Sequence, residues 1–419
     1  MRLLIGAQFY PPIVGGEERH VRNLAHRLHA VGHEVDVLTL APGRDDVGVD
    51  VEGGVRVIRV ASAATRLPGL YSDPGRPHAA PVEDPAIARA AGSLIAERRY
   101  DVVHAHNWIV NSLLRVSRQH ATPVVLTLHD YSHVCAVKRM MRDGSPCPGP
   151  SLGACLRCAG ATYGSATGAA VTLGNRRGMR ARVAGVSRFL AVSSAVARRN
   201  GLLGGPVRCD VIPNFIPDEL LDPIERLAAP HSGGGPIVFV GDLTPDKGVP
   251  VLLRAYAALP DAPELVLAGR VGPVPLDLPR GARLLPELAH GEVVDLMRSA
   301  RFVVVPSTWP DPCPTVVLEA MAVGRAVLAT ATGGIVDMVT DGETGLLVPP
   351  GDEAALCRAM GEMLDPATDL ARFGRAGRRN VEHFTASHVV PRIEAVYTEV
   401  IGDPGPLRAG VVTPWGAVP

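Results

Sequence analysis

The sequence predicts an α/β protein made of two Rossmann-like domains, and three observations carry that prediction. Short apolar runs alternate with helix-like segments along almost the whole chain, the pattern of parallel sheets covered on both faces. The alternation pauses once, around residues 213–235, where Pro and Gly accumulate. A 47% hydrophobic share against 20% charged residues over 419 residues provides for two to three cores and excludes a largely disordered chain.

Each element follows from local chemistry. Arg2 to Phe9 reads as a buried strand that Pro11-Pro12 ends, because proline has no N–H for a sheet. Gly15-Gly16 makes a turn, and Glu17 to Val31 places Val21, Leu24, Ala25 and Leu28 on one helical face. Gly32 stops that helix before a strand from His33 to Leu40. Strands at Val55 to Val60, Asp101 to His106, Pro123 to His129 and Phe189 to Ser193 follow, with helices at Pro85 to Arg98, Trp108 to Gln119 and Thr167 to Val183. Residues 1–216 thus form a first domain, with an irregular Cys-rich loop at 131–160 and a linker at 217–235.

In the second domain, 236–385, strands fall at Ile237 to Gly241, Leu265 to Gly269, Phe302 to Pro306, Ala326 to Thr330 and Gly345 to Val348. Helices fit at Val249 to Leu259, Gly291 to Ala300, Thr315 to Val323 and Asp352 to Leu364. A helix over 386–401 and a flexible tail over 402–419 complete the chain. In folds of this kind ligands sit beyond the carboxyl ends of the strands, so a cleft between two such domains is the expected site.

Composition removes several function classes. Lys+Arg and Asp+Glu both total 42, a net charge of zero that argues against a nucleic-acid partner. No long apolar run occurs and the N-terminus turns polar at once, so a cytoplasmic location is expected. Seven cysteines spread over the chain do not suggest a secreted disulfide framework. Only two of the 42 cationic residues are lysines, Lys138 and Lys247, which, with abundant Ala, Gly and Pro, indicates a GC-rich coding sequence. In such a chain a lysine stands out.

Four constellations carry chemistry. Between Ser307 and Gly324 a strand gives way to a proline-rich loop and then a helix, whose first amides around Pro314, Thr315 and Val316 suit a phosphate. Asp311 lies on that loop and Glu319 eight residues later inside the helix; carboxylates accept hydrogen bonds from ribose and hexose hydroxyls, although a solvated loop Asp and a surface Glu would read the same way. Lys247 sits in a turn after a strand, where it can neutralise a diphosphate. Gly15-Gly16 and His129 occupy corresponding strand ends in the first domain, with His104 and His106 on the neighbouring strand read as structural.

Taken together, Pro11-Pro12-Ile13-Val14-Gly15-Gly16-Glu17, Gly32-His33-Glu34-Val35, Leu128-His129-Asp130, Ile212-Pro213-Asn214, Val240-Gly241 with Asp246-Lys247-Gly248, Asp311-x7-Glu319-Ala320-Met321-Ala322 and Gly333-Gly334 resemble the retaining glycosyltransferases of family 4, from Arg2 to about Ile401. The resemblance implies the GT-B fold: two Rossmann-like domains facing across a cleft, the N-terminal one binding acceptor and the C-terminal one the nucleotide-sugar, with the last helix crossing back to the first domain. It implies that the residue matching Asp311 touches the donor sugar, that Glu319 holds the ribose, and that Lys247 binds the diphosphate. Amides at Pro314 to Val316 and the Gly15-Gly16 loop assist, and His129 lines the sugar site. The co-substrate is then a nucleotide diphosphate sugar, transfer retains anomeric configuration, and no cofactor or metal is required for catalysis. Two positions depart from the family: Asp311 stands where Glu is usual, and Asp242 where Arg is common five residues before the lysine.

The acceptor is expected to be a small molecule of bacterial natural-product biosynthesis. A transferase building polysaccharide or glycolipid, a nucleotide-sugar epimerase and a binding pseudoenzyme are the alternatives. Cys135, Cys147, Cys155 and Cys158, spaced C-x11-C-x7-C-x2-C, suit a structural tetrahedral zinc site, with a set of reduced thiols as the other reading. No acidic residue falls between Asp143 and Asp210 while nine arginines do, which fits either a solvated helical face or a peripheral contact with an anionic membrane or acceptor. Oligomeric state, nucleobase and donor sugar leave no trace in the residues.

Overall fold

A computed structural model describes residues 1–13, 15–43, 45–63, 78–205, 207–221, 223, 234–272 and 276–403. The chain divides into two compact units: residues 1–213 together with those from Val390 onward, and Asn214–Val389. Most of the expected linker and the tail beyond residue 403 lie outside the described residues.

The first unit holds β1 (Arg2–Ala7), α1 (Gly16–Ala30), β2 (Glu34–Leu40), β3 (Gly48–Glu52), β4 (Val55–Val60), α2 (Pro85–Arg98), β5 (Val102–His106), α3 (Val110–Gln119), β6 (Val124–Leu128), the short pair β7 (Met141–Arg142) and β8 (Ser145–Pro146), α4 (Leu152–Tyr163), α5 (Ser165–Gly185), β9 (Arg188–Ala191), α6 (Ser194–Arg199) and β10 (Cys209–Val211). Eight of the strands form one sheet in the order β10-β9-β6-β5-β1-β2-β4-β3, parallel except for β3. Its centre is buried on both faces, with Leu3, Leu4, Ile5, Val102, Val103, Val125 and Leu126 fully enclosed. That explains why these strands read as continuous apolar runs. Each such side chain contributes roughly 1.5–3 kcal/mol on burial.

The second unit holds β11 (Ile237–Val240), α7 (Val249–Ala257), β12 (Leu265–Ala268), β13 (Ala282–Leu285), α8 (His290–Ser299), β14 (Phe302–Val305), α9 (Thr315–Ala322), β15 (Val327–Thr330), β16 (Gly345–Val348), α10 (Glu353–Leu364) and α11 (Leu370–Asn380). Its six strands run in parallel in the order β13-β12-β11-β14-β15-β16. The last helix, α12 (Ala386–Gly402), begins among the residues of this unit and belongs to the first unit from Val390 onward. Among the described residues no helix is long and apolar enough to cross a membrane.

Both sheets are doubly wound, so each has a point where the chain reverses its direction of strand addition. In the first that point lies between β1 and β5, and in the second between β11 and β14. Loops at such switch points splay apart and open a crevice, which is where open α/β sheets hold ligands.

Several elements depart from expectation, α6 and the short pair β7–β8 among them. The Cys-rich loop is not irregular throughout: Cys155 and Cys158 lie on α4, a helix hidden by the Gly and Pro that precede it. The antiparallel edge strand β3 exposes Val49 and Val51 and so lacks a buried-strand pattern. Strands β10 and β13 are short and only partly buried. Helix α11 carries Gly374, which helix propensity disfavours. A Cβ there would come within 2.0 Å of the Gly324 carbonyl oxygen, so close packing requires the glycine.

Candidate functional site

In the second unit the loops after β11 and β14 flank the switch point and deliver two of the residues singled out in the sequence. The Lys247 ammonium donates to Asp311 Oδ2 at 2.6 Å, and the Ser307 hydroxyl donates to the same oxygen at 3.2 Å. Asp311 is buried, whereas Lys247 keeps 29% of its side chain exposed. An ammonium has three donors, so Lys247 retains capacity for a ligand beyond this pair. The two loops are locked together: the Thr308 amide donates to the Asp246 carbonyl at 2.8 Å, and the Thr308 hydroxyl donates to the Pro245 carbonyl at 2.9 Å.

Glycine makes this geometry attainable at two positions. Gly248, at φ +77°, precedes α7, and a Cβ there would lie 1.8 Å from the Pro306 carbonyl oxygen. Gly333, at φ +58°, packs on the backbone of Asp311, where a Cβ would approach its carbonyl oxygen to 2.0 Å, and the Gly334 amide donates to that same oxygen at 2.7 Å. The Gly333-Gly334 pair thus fixes the aspartate loop from below. Only residues without a side chain permit such approach.

Helix α9 starts beside Asp311. Its N-cap is Pro314, which supplies no capping side chain and, lacking an N–H, cannot donate to an anion itself. The donors at this end are the amides of Thr315 and Val316, since Val317 turns back to the Pro314 carbonyl at 3.1 Å. Glu319 is buried one turn on and accepts from His290 Nε2 of α8 at 3.3 Å, when that nitrogen carries its proton. Cys313 is buried beneath the loop, and burial pushes its thiol up to about 12, so it is an inert packing group.

Two neighbours carried no clear sequence signal, Arg270 and Trp309. Arg270, at the end of β12, pairs with Asp242 through two contacts of 3.0 and 3.1 Å, so the cation absent from position 242 comes from the adjoining strand. Beyond β12 and β13 lies an open cavity of about 550 Å³ lined by Gly269, Arg270, Leu284, Leu285, Pro286 and Glu287. The Trp309 ring lies 5.7 Å from Lys247 Nζ, and among the described residues its buried indole N–H has no hydrogen-bond partner. A strand-end Arg and a loop Trp become informative only once the sheet order is known.

In the first unit the switch point gathers the ends of β1, β5 and β6. His129, one residue past β6, is buried, and His106 at the end of β5 meets it through Nδ1 to Nε2 at 2.9 Å with the rings stacked 5.2 Å apart. His104 lies behind, between the Tyr397 hydroxyl of α12 at 2.6 Å and the Thr127 hydroxyl at 2.7 Å. His20 of α1 sets its ring edge-on to His129 at 5.0 Å. Burial drives His104 down to about 3 and holds His20 and His106 well below the ordinary imidazole range, so these rings are neutral at pH 7.

Asn107 is the residue the sequence did not flag. At φ +55° it accepts from the His129 amide at 3.0 Å and donates to Glu17 Oε2 at 2.9 Å. It therefore ties the turn at Gly15-Gly16 to the histidine. A Cβ on Gly16 would meet nothing within 4 Å, so the space over the start of α1 is open. The four clustered cysteines are unpaired and line a separate cavity of this unit.

Residues 15–214 match the family described as a glycosyl transferase 4-like domain, and residues 235–366 match that described as glycosyl transferases group 1. The chain belongs to the family 4 glycosyltransferases. This glycosyltransferase is 29% identical to the D-inositol 3-phosphate glycosyltransferase of Mycolicibacterium paratuberculosis, over 95% of its own length and 88% of the relative. It is 28% identical to the protein of the same name from Mycolicibacterium smegmatis, over 93% and 87%. Its fold is GT-B: sucrose-phosphate synthase from Thermosynechococcus elongatus superposes with a TM-score of 0.72 at 21% identity, covering 96% of this chain and 99% of that one. HepE from Anabaena, solved in complex with UDP-glucose, superposes with a TM-score of 0.67 at 18% identity, covering 95% and 100%.

Proposed function

We propose that this glycosyltransferase moves a sugar from a nucleotide diphosphate sugar to a small hydroxylated acceptor with retention of configuration, and that residues 236–385 hold the donor while residues 1–216 receive the acceptor. One observation carries the reading: the switch point of the second sheet unites an ammonium, a buried carboxylate and an uncapped helix start within one locked pair of loops. A diphosphate seated on the Thr315 and Val316 amides would take up the remaining donors of Lys247, and Arg270 would add a second cation from β12. Asp311 would face the sugar and Glu319 the ribose. The cavity beyond β13, lined by Leu284, Leu285 and Pro286 together with Arg270 and Glu287, would accommodate the base.

Transfer in this reading breaks the bond between the anomeric carbon and the diphosphate oxygen and forms one to the acceptor oxygen on the same face, the acceptor proton passing to the departing phosphate. Charge grows on the diphosphate as that bond stretches. Donors aimed at developing charge stabilise the transition state more than the ground state, by about 3–4 kcal/mol for a single group. Lys247 and the helix amides carry that load without a metal requirement. His129 would hydrogen-bond the sugar beside the reacting carbon. UDP-sugars are the preferred donor class because HepE was solved with UDP-glucose, and a small polyol or its phosphate is the preferred acceptor because the curated relatives act under the name D-inositol 3-phosphate glycosyltransferase.

The test is a thermal-shift screen of UDP-, GDP-, ADP- and TDP-sugars followed by product analysis with the winning donor. One donor class should raise Tm and yield a glycoside of small polyols in the presence of EDTA. An epimerised sugar without acceptor, or product formed only on lipid or polysaccharide, would replace the reading.

A further inference from the structure

Between His129 and α5 the first unit makes an excursion whose apolar burial is confined to a few side chains, Tyr131, Ala136, Met140, Ala154 and Ala159 among them. Helix α4 buries only Ala154 and Ala159, and the pair β7–β8 is two residues per strand and exposed or half-buried throughout. Yet its backbone is tightly constrained. Lys138, Met140 and Asp143 hold positive φ without being glycine, at +68°, +50° and +53°. Conformations of this kind persist only where the surroundings over-determine them. The burial of Met140 and backbone hydrogen bonds from Tyr131 to Lys138, Lys138 to Cys135 and Cys147 to Met140 supply part of that constraint.

The thiols lie where it is needed. Cys135 closes a turn on the Tyr131 carbonyl, Cys147 follows β8 and donates its amide to Met140, and Cys155 and Cys158 lie three residues apart on one face of α4. Three separate backbone segments thus bring four unpaired thiols to the wall of one cavity. That cavity measures about 20 Å³. A single water needs roughly 10–15 Å³, so the space admits one atom and no organic ligand. Burial pushes the Cys135 thiol up, and hydrogen bonds from the backbone of Met140, Val137, Arg139 and Lys138 pull the other way, the kind of support that metal-bound sulfur receives from outside the ligand set.

We infer that Cys135, Cys147, Cys155 and Cys158 bind one zinc ion, which clamps the segment following His129-Asp130. Four sulfurs in this setting select a soft, tetrahedral ion, and zinc sites of the Cys₄ type commonly draw two ligands from a C-x2-C pair such as 155 and 158. Each sulfur that ligates gives its proton to water as the Zn–S bond forms. Among the described residues no three His, Cys, Asp or Glu side chains are preassembled as a metal cage; the four thiols surround the cavity and turn inward on the ion as it enters. The ion supplements the small apolar core of this segment. This inference does not depend on the donor site.

The experiment is metal analysis of the full chain purified without chelator and, separately, after exchange into zinc. One equivalent of zinc is expected, released by a thiol-reactive mercurial and read with a chromogenic chelator. Cys155→Ser and Cys158→Ser should each lower the bound zinc at least about fivefold and reduce Tm by about 5–10 °C. Cys209→Ser and Cys357→Ser, outside the cavity, should leave both unchanged. Should the ligand variants fail to fold, the stoichiometry and mercurial release of the parent chain still decide the matter. Zinc below about a tenth of an equivalent after exchange, a disulfide among the four cysteines in thiol titration of the denatured chain, or iron with its visible absorption in place of zinc, would each overturn the inference.

Discussion

Acidification should destabilise the first unit steeply. His104, His20, His106 and His133 are all held below the ordinary imidazole value of 6.5 by burial, His104 down to about 3, and Arg182 presses His133 further down. In the unfolded chain the same rings take protons near pH 6.5. Below that pH the unfolded state therefore binds more protons than the folded one, and stability rises with pH. The contribution is complete above about pH 6.5 and is lost as pH falls towards the folded values. At pH 5 each ring that stays neutral in the fold costs about 2 kcal/mol, since one pH unit is worth about 1.4 kcal/mol. Four rings reach at most about 8 kcal/mol, comparable with a domain's whole stability. Urea denaturation between about pH 7.5 and 5, followed by Trp108 fluorescence in a background with Trp309 and Trp415 both replaced by Phe, reads this slope directly. His104→Gln, which can keep partners at Tyr397 and Thr127, should lessen the slope by about one proton. A slope below about 1 kcal/mol per pH unit from pH 6.5 to 5 would refute the reasoning, because the fold would then accommodate the charged rings.

Further outcomes follow from the second unit. Lys247→Ala should lower kcat/KM for the winning donor about 10²–10³-fold. Asp311→Asn frees the ammonium from its carboxylate partner and should leave binding of the free nucleoside diphosphate equal or tighter while sugar transfer falls, a split that calorimetry and turnover assays separate. Glu319→Gln should weaken donor binding by about tenfold, near 1.4 kcal/mol, if that carboxylate accepts from the ribose. Gly248→Ala should destabilise the second unit by more than about 3 kcal/mol, visible as a lowered Tm, because the new methyl meets the Pro306 carbonyl and the residue sits at positive φ.

The strands of both sheet centres were legible because burial on both faces leaves unbroken apolar runs, so Arg2–Ala7, Ile237–Val240 and Phe302–Val305 fall within the expected spans; Val55–Val60, Gly345–Val348 and α2 also coincide with theirs. Elements held by close backbone contact were not legible, α11 with its glycines above all. Lys247 and Asp311 stood out through composition and spacing, but their contact depends on strand order, which no local pattern encodes. The same holds for Arg270, which restores near position 242 the charge that the chain omits there, and for Asn107, whose two hydrogen bonds link segments 90 and 22 residues away. The thiol cluster was visible as spacing; that α4 carries half of it was not.

The account rests on an activated sugar held at Lys247 and the start of α9. Calorimetric titration of UDP-glucose, and of the GDP, ADP and TDP counterparts, into the parent chain and Lys247→Ala tests this most directly. One donor should bind the parent with Kd of about 100 μM or tighter and the variant at least about 50-fold more weakly. No heat from any of them, or equal affinity for both proteins, would contradict it.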